Sequence, residues 1–163
     1  MTLRELNALD CTAFVDALGW VFEHSPWVAE RAWHLRPFAE VAAVHGAMVR
    51  QVAAARPEEQ LTLLRAHPDL GTRARISGAS SGEQAGAGLD RLTAEEFARL
   101  DSLNRAYRDK FGFPFLYAVK GSTKYDILQA LERRLADSPE REYEEALRQV
   151  YRIAEFRLKD TVE

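Results

Sequence analysis

His67 stands where a run of helical periodicity stops. Upstream, Leu61 and Leu64 mark one face of a helix opened by Pro57, and His67 comes at the next step of the same spacing. Pro68 then forces the residue before it out of helical geometry, so the imidazole is held at a helix end beside a loop. A histidine so placed is within reach of a substrate and can exchange a proton near neutral pH. A lone histidine near an apolar face is more often structural, and it is the placement of His67 that favours chemistry; His24, His34 and His45 fall within helical runs and lack it.

Three other groups of residues offer chemistry. Glu83 and Gln84 put a carboxylate and an amide into SSGEQAGAG (residues 80–88), whose glycines let backbone come close to a ligand; in isolation, a solvated loop with a helix N-terminus explains them better. Arg157 continues the stripe Tyr143, Leu147, Val150 and Ala154 of a final helix, three residues beyond Ala154. A guanidinium on an apolar face needs a partner, and that partner is either an anionic ligand or an internal carboxylate. In FGFPFLYAV (111–119), Gly112 and Pro114 predict an irregular backbone whose amides can face a ligand, although aromatic clusters are usually plain core.

Metal and nucleotide chemistry gain little support. His67 and Asp69 are the nearest mixed ligand pair, and no paired-histidine zinc helix is present; Asp69 is better explained as a turn-capping residue. GSTK at 121–124 lacks an upstream glycine-rich phosphate loop.

The elements that must carry these residues are helical. Asp10 caps a helix over 11–24, and Ser25-Pro26 starts another that packs Trp27, Ala32 and Trp33 inward. An alanine-rich helix over 39–55 follows, then the helix from Pro57. Residues 71–88 are rich in Gly and Ser and predict a loop with at most one helical turn. A capping box at Thr93–Glu96, a cap at Ser122-Thr123 and a start at Ser138-Pro139 open the last three helices. FLYAV has the composition of a strand, but the reading is all-α: one domain over 1–163, a helical bundle of about seven to nine helices.

Composition narrows the partners. The chain has 163 residues, 47% hydrophobic and 29% charged, which suits a folding globular domain. Its 22 basic and 25 acidic residues are interleaved, so neither a nucleic-acid footprint nor a polybasic membrane patch is expected. The single Cys11 rules out an intrachain disulfide, and with no signal-peptide or membrane-spanning run in view a cytoplasmic location is expected.

Taken together, HPDLG (67–71), SSGEQAGAGLD (80–90), LNRAYRDKFGFPFLYAVKG (103–121), RIAEFRL (152–158) and FEHSPWVAERAW (22–33) resemble the OHCU decarboxylases. These enzymes act on 2-oxo-4-hydroxy-4-carboxy-5-ureidoimidazoline in urate breakdown. The resemblance implies an all-helical homodimer without metal or organic cofactor, a ureidoimidazoline substrate, and (S)-allantoin and CO2 as products. It places the catalytic histidine on His67 and its partnering carboxylate on Glu83. Substrate contacts fall on Pro68, on Ser80, Ser81, Gly82, Glu83 and Gln84, on Phe115, Leu116, Tyr117, Ala118 and Val119, and on Arg157. Backbone amides of 115–119 and the Gln84 amide would then hold the substrate while His67 delivers a proton. Two other outcomes stay open on the residues alone: a non-catalytic helical module that binds a ureide, and a metal-assisted amide hydrolase using His67, Asp69 and Glu83.

Overall fold

Short polar side chains set where the helices begin. The computed structural model describes residues 1–71 and 78–163. Among them are nine helices: α1 (Leu3–Ala8), α2 (Cys11–Leu18), α3 (Trp27–Trp33), α4 (Val41–Ala53), α5 (Pro57–Arg65), α6 (Gly78–Gly86), α7 (Ala94–Phe111), α8 (Lys124–Leu135) and α9 (Pro139–Lys159). Asp10 accepts the Ala13 N–H at 2.8 Å to start α2. Thr93 and Glu96 close a reciprocal box at the head of α7, with bonds of 3.1 and 3.0 Å. Such caps satisfy donors that a helix leaves open, and each is worth about 1 kcal/mol. No β-strand occurs among the described residues, so FLYAV forms no strand despite its composition.

Several local expectations are corrected. The Gly/Ser-rich stretch is no plain loop, because Gly78–Gly86 forms the nine-residue helix α6. Residues 72–77 of that stretch lie outside the described residues. Ser25 does not cap α3; its hydroxyl donates to the Glu23 carbonyl at 2.8 Å, and the helix begins after Pro26. The inward face of α3 is Val28, Ala29 and Ala32, while Trp27 and Trp33 are half-buried beneath the guanidinium groups of Arg31 and Arg36. His24 is not helical: it has φ of 46°, a left-handed conformation, and His34 is the C-cap of α3. On α9 the buried line runs Glu142, Ala146, Val150, with Tyr143 and Leu147 half-buried beside it.

The chain divides into two compact units. The first, residues 1–66 and 150–163, holds α1 to α5 and the end of α9; Leu6, Phe14, Met48 and Leu64 are fully buried there. The second, residues 67–149, holds α6 to α8 and the start of α9, with Tyr107, Phe115, Ile127 and Leu131 fully buried. Gly112 ends α7 with φ of 80°, a conformation glycine adopts without side-chain clash, and its N–H returns to the Arg108 carbonyl at 2.8 Å. That cap turns the chain sharply into FPFLYAV.

Candidate active site

Helix α5 stops at Arg65, with Ala66 as its C-cap, and His67 is the next residue, 6% exposed. Three side chains fix the turn behind it. Asp69 pairs with Arg108 of α7 at 2.9 Å, Asn104 of α7 donates to the Leu70 carbonyl at 2.9 Å, and Gln84 of α6 accepts the Gly71 N–H at 2.8 Å. Asp69 therefore serves as an ion-pair anchor to α7 rather than the turn cap its position predicts. Gly71 has φ of 72°, and a Cβ there would lie 2.5 Å from Leu100 Cδ2, so glycine alone fits this bend.

Helix α6 sorts the SSGEQ residues by face. Ser80, Glu83, Gln84 and Ala87 recur at one helical face; Ser80, Gln84 and Ala87 are buried and Glu83 is half-buried. Ser81 and Gly82 lie on the opposite, exposed face, so the structure does not bring them to the others. The Gln84–Gly71 bond joins this face directly to the His67 turn. Because the Gln84 oxygen is committed to Gly71, its Nε2 is the end that can donate to a ligand.

The 115–119 segment is held by side chains rather than by a strand partner. Arg134 Nη1 donates to the Leu116 carbonyl at 2.5 Å, and the Ala118 N–H donates to Gln149 Oε1 at 2.9 Å. The Ala118 amide is thus already used, against the expectation that every amide here is open to a ligand. Among the described residues, the N–H groups of Phe115, Leu116, Tyr117 and Val119 have no protein acceptor. Beneath the segment, Arg134 and the fully buried Glu142 form an ion pair of 2.6 Å, and the Tyr107 hydroxyl donates to the same carboxylate oxygen at 2.5 Å. Burial, then the bond to Glu142, pushes the Tyr107 phenol far above its usual range, so it stays a donor.

Arg157 lies in the first unit, 4% exposed. Its Nη2 donates to Glu23 Oε2 at 2.9 Å, and Nη1 to the carbonyls of Val21 and Trp20 at 3.2 and 3.3 Å. Of the two partners weighed for this guanidinium, the internal carboxylate is present.

Among the described residues no three His, Cys, Asp or Glu side chains are grouped so as to hold a metal ion. No helix among them is long and apolar enough to cross a membrane.

The family model for OHCU decarboxylase matches residues 7–159. The chain belongs to the OHCU decarboxylase family. Its relatives include the 2-oxo-4-hydroxy-4-carboxy-5-ureidoimidazoline decarboxylase of Haloferax volcanii, 49% identical over 160 residues, covering 98% of this chain and 95% of that one. A crystal structure of (S)-allantoin synthase matches with a TM-score of 0.83 and 34% identity, over 99% of this chain and 54% of the other. A crystal structure of an OHCU decarboxylase in the presence of (S)-allantoin matches with a TM-score of 0.69 and 25% identity, over 82% and 89% of the two chains.

In this OHCU decarboxylase family member the sequence reading missed Glu23, Glu142, Arg134 and Gln149. Two of them carried a signal. Glu142 stands four residues before Ala146 on the buried stripe, and Arg134 stands three after Leu131, so each places a charge on an apolar face that demands an internal partner.

Proposed function

We propose that this protein decarboxylates 2-oxo-4-hydroxy-4-carboxy-5-ureidoimidazoline to (S)-allantoin and CO2, the last step of urate oxidation to allantoin, through one catalytic domain spanning 1–163. Within the fold, the observation that carries this reading is the Gln84–Gly71 hydrogen bond, which ties the His67 turn to the α6 face bearing Ser80, Glu83 and Gln84.

The substrate supplies its own electron sink, which removes the usual need for a carbanion-stabilising cofactor. The bond from the hydroxylated ring carbon to its carboxylate breaks, CO2 leaves, and the electron pair flows through the adjacent carbon onto the nitrogen of the ring C=N, which takes a proton. The resulting enol loses its hydroxyl proton as the adjacent ring carbon gains one on a single face; one proton is consumed overall. His67 is the acid for that carbon, and Glu83 orients or charges the imidazole. The Gln84 Nε2 and the uncommitted amides of 115–119 hold ring and ureido oxygens, and so turn the carboxylate out of the ring plane.

Arg157 belongs to the first unit, where Glu23 supplies its counter-charge. Pro68 shapes the His67 turn; Ser81 and Gly82, on the exposed face, are left out of the site. The protein works as a cytoplasmic homodimer without metal or organic cofactor.

The test is to supply purified protein with freshly generated substrate and follow chirality. Rapid appearance of the S enantiomer is expected. Decay at the spontaneous rate to racemic allantoin would overturn the reading.

A further inference from the structure

Arg134 and Gln149 take no part in the chemistry above, yet they hold the 115–119 backbone at two polar groups, the Leu116 carbonyl and the Ala118 N–H. Both are themselves locked. Arg134 places Nε 2.7 Å and Nη2 2.6 Å from Glu142 Oε1, with its guanidinium 4.5 Å over the Phe115 ring. Gln149 donates from Nε2 to Glu145 Oε1 at 2.8 Å, and Arg148 donates to the other oxygen of that carboxylate at 2.7 Å. Burial raises the Glu145 carboxyl, but the bonds from Gln149 and Arg148 outweigh it and hold the group below its usual value. Glu145 is therefore charged and acceptor-only, so Gln149 must turn its NH2 toward Glu145 and its oxygen toward Ala118.

Packing alone does not explain such a device. A buried ion pair adds little net stability compared with apolar side chains of the same volume, whereas it fixes a geometry. The geometry points to Arg134 and Gln149 as positioning residues of the decarboxylase site: by occupying the Leu116 carbonyl and the Ala118 N–H, they aim the remaining amides of 115–119 at the substrate oxygens. This rests on the function proposed above and assigns the determinant of substrate affinity to two side chains that never touch substrate.

Gln149→Leu removes the acceptor and keeps the bulk. Gln149→Glu keeps the acceptor but sets two carboxylates one helical turn apart. The exchange E145Q/Q149E restores both bonds with roles swapped, since the amide now at position 145 donates to the carboxylate now at position 149, which still accepts from Ala118. In steady-state turnover of freshly generated substrate, Gln149→Leu is expected to raise KM about tenfold and to weaken calorimetric binding of (S)-allantoin by the same factor, in a protein that keeps its helical circular-dichroism signal. The exchange variant is expected to return both to within about twofold of the parent. An unchanged KM in Gln149→Leu, a fall in kcat alone, or a folded exchange variant as impaired as Gln149→Glu would each overturn the assignment. If Gln149→Leu fails to fold, the Gln149→Glu and exchange pair decides. A parent protein that makes no (S)-allantoin would instead refute the function itself, which keeps the two failures apart.

Discussion

Gln84 Oε1 lies 2.8 Å from the Gly71 nitrogen in the protein interior, so one side chain on α6 completes the turn that carries His67. Replacing Gln84 with Leu leaves the Gly71 N–H buried without an acceptor. The loss should be about 1–3 kcal/mol, read as a lower urea midpoint. It should be accompanied by a drop in turnover greater than the fraction unfolded explains. An unchanged midpoint would show that the bond contributes nothing to holding the turn.

His67→Asn keeps a polar side chain of similar size and removes the proton donor. Formation of (S)-allantoin from fresh substrate should nearly cease while the helical circular-dichroism signal is unaltered. Parent-level rates would remove His67 from the mechanism.

Tyr107→Phe deletes the hydroxyl that donates to Glu142 at 2.5 Å and leaves the Arg134–Glu142 pair in place. A hydrogen bond to a buried charged group is worth about 1.5–3 kcal/mol, and the urea midpoint should fall accordingly. A variant as stable as the parent would mean that Arg134 alone satisfies the carboxylate.

Glu59 gives a pH-dependent prediction. Hydrogen bonding from Arg31 leads the causes that lower its carboxyl from 4.5 to about 2. Because the folded value lies below the unfolded one, the contribution is fully present above 4.5 and is lost as pH falls toward 2. The Tm gap between the parent and Glu59→Gln should therefore be constant at neutral pH and shrink as the solution is acidified through that window. A gap that widens on acidification would contradict the assignment.

The sequence made the helices legible because their signals are local. Asp10, Thr93 and Thr123 cap helices at the positions their side chains predict. It hid α6, because Gly78, Gly82 and Gly86 lower intrinsic helix propensity and tertiary contacts of Ser80 and Gln84 decide the outcome. His67 was legible because a proline following a helical run is a local signal. Gln84's bond to Gly71 and Gln149's bond to Ala118 join residues 13 and 31 apart, and no spacing rule spans that distance. Arg157 was recognisable as needing a partner, but Glu23 lies 134 residues away.

The polar trio of Tyr107, Glu142 and Arg134 sits where an apolar trio of equal volume would fold at least as well. Thermostability engineering that rewards hydrophobic cores would replace it early. On the positioning role assigned to Arg134, the resulting protein would survive hotter conditions and handle its substrate poorly, because the backbone that grips the ureido group would have lost its anchor. Heat tolerance and catalytic fitness are thus set against each other at three side chains that lie beneath the reaction rather than in it.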